Sequence, residues 1–284
     1  MSLPGQNSLS PPIATGSNMD QAIAAIIASF PSDDSTDIFL DFASKDGLPF
    51  GITSMKTRLA LNLKGHPYTT RFLLYPQICH VLSSPPLSLP PRPSPPSIAP
   101  YTLPTARIAG TWITDSLSIT RALEAAYPDA PSLQLESQAD LIQTVEALII
   151  KIATPLATIF LPAVCKKLLP EPSAEYVRRT REPWMGKVEE LEEKSRREGE
   201  EMWKAAEGPG RELAGLVTSG WKEGEGKGPF FEGDVPGYAD LVVVGFLWST
   251  KRHGEEYFER VVEWDQEVFC GLWGACEKWM GKVD

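Results

Sequence analysis

The run Ile52-Thr53-Ser54-Met55-Lys56-Thr57-Arg58-Leu59-Ala60-Leu61-Asn62-Leu63-Lys64-Gly65 decides how the first part of the chain folds. Ile52, Met55, Leu59 and Leu63 recur at the spacing of one helix face, and Gly65 is placed to end that helix as a C-terminal cap. Ahead of it, Asp37-Ile38-Phe39-Leu40-Asp41-Phe42 is a mostly apolar run of strand type. After it, Tyr68 to Leu74 reads as a second strand. Strand, helix and strand in this compass predict a parallel βαβ unit.

Outward from this unit the composition changes twice. Residues 1–36 are rich in Ser, Pro, Gly and Asn, which predicts a disordered tail with at most one short helix. Between Pro85 and Pro100 half of the residues are proline, so the stretch cannot be helical. It reads as an elongated surface loop, or as a docking segment for a proline-recognising partner. A short strand is expected around Ala106 to Ile108, followed by Gly110 and Trp112-Ile113. Asp115-Ser116 can cap a helix whose apolar face is Ile119, Ala122, Leu123, Ala126 and Tyr127, and Pro128 stops it. These signals place a first domain at 37–128. Beyond a Pro/Ser-rich linker, residues 138–284 read as helical throughout. The mixed charges from Glu182 to Glu207 read as a solvated helix face.

At 284 residues and 42% apolar composition, the chain can bury a substantial core. A formal net charge of −10 argues against nonspecific nucleic-acid binding, which needs a basic surface to neutralise phosphates. Cys79, Cys165, Cys270 and Cys276 have neither CxxC nor Cys/His spacing, so no metal site and no disulfide framework are expected. His66, His80 and His253 are read as neither metal ligands nor bases. No secretory signal is read at the N-terminus, and a cytoplasmic location follows as the expectation. The apolar stretch Leu141 to Val164 is interrupted by Glu146, Lys151 and Pro155, and reads as a buried helix rather than a membrane span.

Three local signals stand in a telling order: Lys56-Thr57-Arg58 after a loop bearing Thr53 and Ser54, Leu103-Pro104 before a short strand, and Asp115-Ser116 opening a helix. Met55 to Tyr68 resembles the first helix of fungal glutathione transferases related to the bacterial β-etherases, whose pattern is W-S-P-N-x-W-K-T-R-x-A-L-N-x-K-G-x-P-Y. Leu103-Pro104 and Asp115-Ser116 resemble that family's cis-proline turn and acidic-Ser motif. Gly233 to Leu241 resembles the helix-capping motif of its helical domain. The resemblance implies a thioredoxin-like α/β domain followed by an all-α domain, with glutathione as co-substrate and a homodimer as the assembly.

Residue by residue, the resemblance implies that Ser116 and the N–H groups opening its helix receive the γ-glutamyl carboxylate, which suits the helix dipole. Asp115 would pair with the ammonium. A cis bond at Leu103-Pro104 would present the Leu103 N–H and C=O to the cysteinyl unit; about 5–6% of X-Pro bonds are cis in folded proteins, so only the resemblance carries that expectation. Asp115 and Ser116 read equally as helix caps, and Lys56 and Arg58 equally as solvated helix charges. One departure stands out: Phe50 and Gly51 take the places of the Trp and the sulfur-contacting Ser. Thr53 and Ser54 are then the candidate catalytic hydroxyls. The implied activity is transfer of glutathione to, or thiolytic cleavage or isomerisation of, a hydrophobic electrophile bound against Ile159, Phe160 and Trp184. A non-catalytic glutathione- or ligand-binding protein of the same fold is the alternative, separated from the first by turnover. A scaffold using the proline tract would need no glutathione affinity at all.

Overall fold

The computed structural model describes residues 17–31, 36–93, 99–219 and 228–281. Parts of the expected tail (1–16 and 32–35) and of the proline tract (94–98) lie outside them. The first domain begins with helix α1 (Ser17–Ala28), then β1 (Asp37–Phe42), α2 (Ile52–Lys64), β2 (Tyr68–Leu73), α3 (Tyr75–Ser83), β3 (Thr105–Ile108), β4 (Thr111–Thr114) and α4 (Ser116–Ala126). The second domain is helical: α5 (Ala139–Ala163) ending in a π-turn (Val164–Leu168), α6 (Glu171–Met185), α7 (Val188–Ser219), α8 (Tyr238–His253), α9 (Glu255–Val262) and α10 (Gln266–Met280).

The sheet order is β2-β1-β3-β4. β1 and β2 run parallel from Asp37↔Tyr68 to Phe42↔Leu73, as the βαβ reading requires. β3 is antiparallel to β1, with Leu40 opposite Thr105, and β4 is antiparallel to β3. All six residues of β1 are buried, because both sheet faces are covered. On one face Phe39, Ala106 and Ile108 pack with Met55 and Leu59 of α2 and Ile119 and Leu123 of α4, in a core continuous with the helical domain. On the other, Ile38, Leu40 and Leu73 pack with Ile78 and Val81 of α3 and with Leu168 and Val177 from the π-turn and α6. The second domain therefore grips the sheet on both sides.

Two sequence readings need correction. Within 1–36 the one short helix that the reading allowed is α1 (Ser17–Ala28), and Ile23 and Phe30 enter the second core, with Phe30 set edge-on to Trp112. Helix α3 has no counterpart in the sequence reading, because Pro76 in its first turn looks like a turn signal; Pro there lacks only an N–H that the helix leaves unused. Lys56 and Arg58 are not solvated, since both are buried. Arg58 Nη2 lies 2.9 Å from Asp41 Oδ2 near the C-terminal end of β1, and Nη1 donates to Thr70 Oγ1 at 3.0 Å. Lys56 Nζ lies 2.6 Å from Glu146 Oε1 of α5. Each cation ties α2 to another element.

α5 with its π-turn (Ala139–Leu168) is long and apolar enough to cross a membrane by length and composition. Its flank Ile142, Val145, Ile149, Ile152 and Leu156 belongs to the core between the domains. The charged run divides at Gly186 (φ 95°), where α6 gives way to α7; along α7 the charges form exposed pairs such as Lys194–Glu198. The 228–237 loop is fastened by the buried Asp240 in the first turn of α8, which accepts from Phe231 N (2.9 Å) and Gly237 N (2.8 Å).

Candidate functional site

The site grows from three backbone features that the fold brings together. The first is the start of α2. Gly51 is its N-cap residue, in extended conformation, and offers no side chain to cap the first-turn N–H groups. Thr53 is exposed, whereas Ser54 is fully buried and its hydroxyl has no hydrogen-bond partner among the described residues. A Cβ at Gly51 would stand 3.9 Å from Ser54 Oγ and 3.8 Å from Phe42 Cδ2. The Ser54 hydroxyl thus borders the space left by the missing side chain at 51.

The second feature is the Leu103-Pro104 peptide, which is cis, and the third is the start of α4. Pairing of Thr105 with Thr114 sets them side by side, and Asp115 N donates to Pro104 O at 3.4 Å. Asp115 has φ 86°, a conformation that non-glycine residues rarely adopt and that costs on the order of 1–3 kcal/mol. Its carboxylate caps α4 by accepting from Ser118 N at 3.0 Å, yet stays exposed. Ser116 is buried, with its hydroxyl beside those of Tyr238 and Thr120. Tyr238 itself is buried without a hydrogen bond of good geometry.

A charged seam joins the α2 and α4 starts. Burial would lower the Lys56 ammonium, but Tyr238, Glu146 and Asp115 outweigh it and hold the group above the usual lysine value. Burial pushes the Tyr238 phenol up, and Lys56 draws it partly back. Leu103, Pro104, Asp115 and Ser116 therefore share one ridge, with Lys56 behind it. Tyr238 and Glu146 were not singled out from sequence; the carboxylate of Glu146 inside an otherwise apolar helix was the signal available.

The loop leading into α2 is held by the second domain. Asp46 accepts from Ser44 Oγ (2.9 Å) and Leu48 N (3.2 Å), and Arg252 Nη2 reaches both its oxygens at 2.7 and 2.8 Å. Pro49 O accepts from Trp248 Nε1 at 2.8 Å and Arg252 Nε at 3.2 Å. Lys45 N donates to Leu168 O at 2.8 Å.

The expected apolar surface of Ile159, Phe160 and Trp184 is not one surface. Ile159 is buried, and the Phe160 ring packs on Trp203, His253 and Tyr257. Trp184 is exposed at the end of α6, donating to Thr180 O. On α5 the large exposed apolar residue is Ile150, one turn beyond Glu146. Among the described residues no group of three or more His, Cys, Asp or Glu is placed to hold a metal, and all four cysteines are free.

Residues 51–126 match the glutathione S-transferase N-terminal domain, and residues 142–279 match the glutathione S-transferase C-terminal domain. The chain belongs to the glutathione S-transferase family. The N-terminal match begins at Gly51 and ends at the last residue of α4, so it spans all three backbone features. The glutathione S-transferase-like protein ustS of Aspergillus flavus is 32% identical over 238 residues, 80% of this chain and 83% of that one. A glutathione S-transferase of Ceriporiopsis subvermispora, solved in complex with glutathione, superposes with a TM-score of 0.75 at 28% identity, covering 86% of this chain and 98% of that one. The glutathione transferase GSTFuA3 of Phanerochaete chrysosporium gives a TM-score of 0.75 at 27% identity, covering 86% and 97%. The glutathione S-transferase fold of both domains is therefore established on sequence and on structure alike.

Proposed function

We propose that this glutathione S-transferase family member binds glutathione along the Leu103–Ser116 ridge and, after the thiol gives up its proton, joins the glutathione sulfur to a hydrophobic electrophile. The single observation that carries the reading is the junction of the cis Leu103-Pro104 turn with the strained start of α4 through Asp115 N and Pro104 O. Ser116 Oγ and the α4 N–H groups receive the γ-glutamyl carboxylate. Asp115 takes the ammonium, and Leu103 pairs with the cysteinyl backbone. The sulfur then lies over the start of α2, where the N–H groups and a hydroxyl of Ser54 or Thr53 favour thiolate over thiol. The Ser54 hydroxyl, which borders the space at Gly51 and has no partner among the described residues, suits this task better than Thr53. Catalysis consists of lowering the thiol pKa and holding the thiolate beside its target.

The electrophile is a hydrophobic small molecule such as a fungal secondary metabolite, a lignin-derived phenol or a xenobiotic. Glu146 pairs with Lys56, and the π-turn at the far end of α5 meets Lys45 ahead of α2. We place the electrophile along α5, whose large exposed apolar residue is Ile150, one turn beyond Glu146. We place the protein in the cytoplasm as a homodimer; four free thiols and family membership support this. Gly51 favours one other reading, a glutathione-binding protein without turnover.

Ser116→Ala should weaken glutathione binding by about 1–3 kcal/mol, the range for a hydrogen bond to a charged group. Because Asp115 rather than Ser116 caps α4, unfolding stability should change by less than about 1 kcal/mol. Calorimetric titration with glutathione checks the first value and denaturant unfolding the second. Equal affinity in the two proteins would move the carboxylate elsewhere.

A further inference from the structure

α8 presents Tyr238, Gly245, Trp248 and Arg252 at spacings of seven, three and four residues, so they share one helix face. That face runs along the back of the whole site. Tyr238 stands behind Ser116, and a Cβ at Gly245 would be 3.0 Å from Ile52 O and 3.1 Å from Lys56 Cβ. Trp248 and Arg252 take hold of the 43–51 loop. At Gly245 the start of α2 is therefore seated closely against the backbone of α8.

We infer that Arg252, acting through Asp46 and Pro49 with Trp248 beside it, is a positioning residue for the thiolate site at the start of α2. The inference rests on the glutathione reading above and extends it to a part of the chain that glutathione does not reach. The loop bends at Gly47 (φ 73°), and Asp46 is its hub, accepting from Ser44 and Leu48 within the loop and from Arg252 across the domain boundary. The planar guanidinium spans two acceptors, Nη2 on the Asp46 carboxylate and Nε on Pro49 O, two residues before the N-cap Gly51. A point-charge ammonium cannot make both contacts in that geometry. Because Gly51 supplies no hydroxyl, sulfur stabilisation depends on where the α2 N–H groups and Ser54 lie. Arg252 sets that position from the other domain.

The test measures the thiol pKa of bound glutathione by thiolate absorbance against pH, with S-methylglutathione affinity as the control that carries no ionisable thiol. In Arg252→Ala the bound thiol pKa should rise by about one unit, a tenfold fall in the thiolate-to-thiol ratio at any given pH. S-methylglutathione affinity should stay within about twofold, and kcat should fall while KM for glutathione holds. Arg252→Lys should recover only part of the shift. Trp248→Phe, which keeps an aromatic side chain and loses the indole donor to Pro49 O, should give a smaller shift of the same sign and stands in should Arg252→Ala fail to fold. A lower melting temperature with an unmoved thiol pKa in all three variants would make the clamp merely structural and overturn the inference. An unshifted thiol in the parent would defeat the glutathione-activation reading itself, and this inference with it.

Discussion

Arg58→Met should lower unfolding stability by about 3–5 kcal/mol, the cost of leaving a buried charge without its partner. Asp41 is buried in the central strand, and its carboxylate faces the equally buried Arg58 guanidinium at 2.9 Å. Methionine fills most of the arginine volume, so the loss reports the orphaned charge more than a cavity. Adding Asp41→Asn removes that charge and should return the protein to within about 2 kcal/mol of the parent, since buried pairs can be replaced by neutral groups at little cost. Urea unfolding of the parent, both single variants and the double variant measures each step. A double variant no better than Arg58→Met would assign the stability to the packing of Arg58 over the Phe39 ring, 4.9 Å away.

Two buried groups give stability opposite dependences on pH. Burial pulls the His253 imidazole down to about 4, although its Nδ1 contacts the Ser249 carbonyl. The unfolded chain takes up that proton near pH 6.5, so it binds more protons than the native state below this value. Stability is present above the unfolded pKa and is lost as pH falls toward 4. The parent's advantage over His253→Phe should shrink by about 2 kcal/mol between pH 7 and pH 5. Asp240 runs the other way: burial pushes its carboxyl up to about 7 against the pull of the Gly237 and Phe231 N–H groups. Here the native state holds the extra proton between about pH 4 and 7, and stability is lost as pH rises. Against Asp240→Asn, the parent should therefore gain about 2 kcal/mol over the same fall from pH 7 to pH 5. Denaturant unfolding at the two pH values separates them; slopes of the same sign would contradict this assignment.

Local signals were legible where one residue fixes the backbone. The β1 boundaries, the Gly65 cap at φ 68° and the helix opening at Asp115-Ser116 all follow from neighbours in sequence. The cis bond at Leu103-Pro104 was legible only through the family motif. What escaped were partnerships across the fold. Lys56 and Arg58 look like any exposed pair on an amphipathic helix, and only Asp41 in β1 and Glu146 in α5 make them interior cations. Asp41 inside an apolar strand and Glu146 inside an apolar helix were the hints. Ile23 and Phe30 sit in a Ser/Pro-rich context that masks their burial, and the hold of Arg252 on Asp46 joins residues 206 apart in the chain. Composition and periodicity are silent about such distances. Thr53 and Ser54 were equivalent in sequence, whereas the fold exposes the first and buries the second beside Gly51.

The central claim is that glutathione bound on the Leu103–Ser116 ridge has its thiol ionised by the start of α2. A pH titration of thiolate absorbance for glutathione bound to the parent protein tests it most directly, with Ser54→Ala and Thr53→Val beside it. The account predicts a bound thiol pKa about two units below that of free glutathione, which requires about 2.7 kcal/mol of preference for the charged form. It also predicts that Ser54→Ala returns much of that shift, because a helix terminus alone supplies about 0.3–1 kcal/mol, while Thr53→Val changes little. A bound thiol that ionises at the same pH as free glutathione would contradict the account.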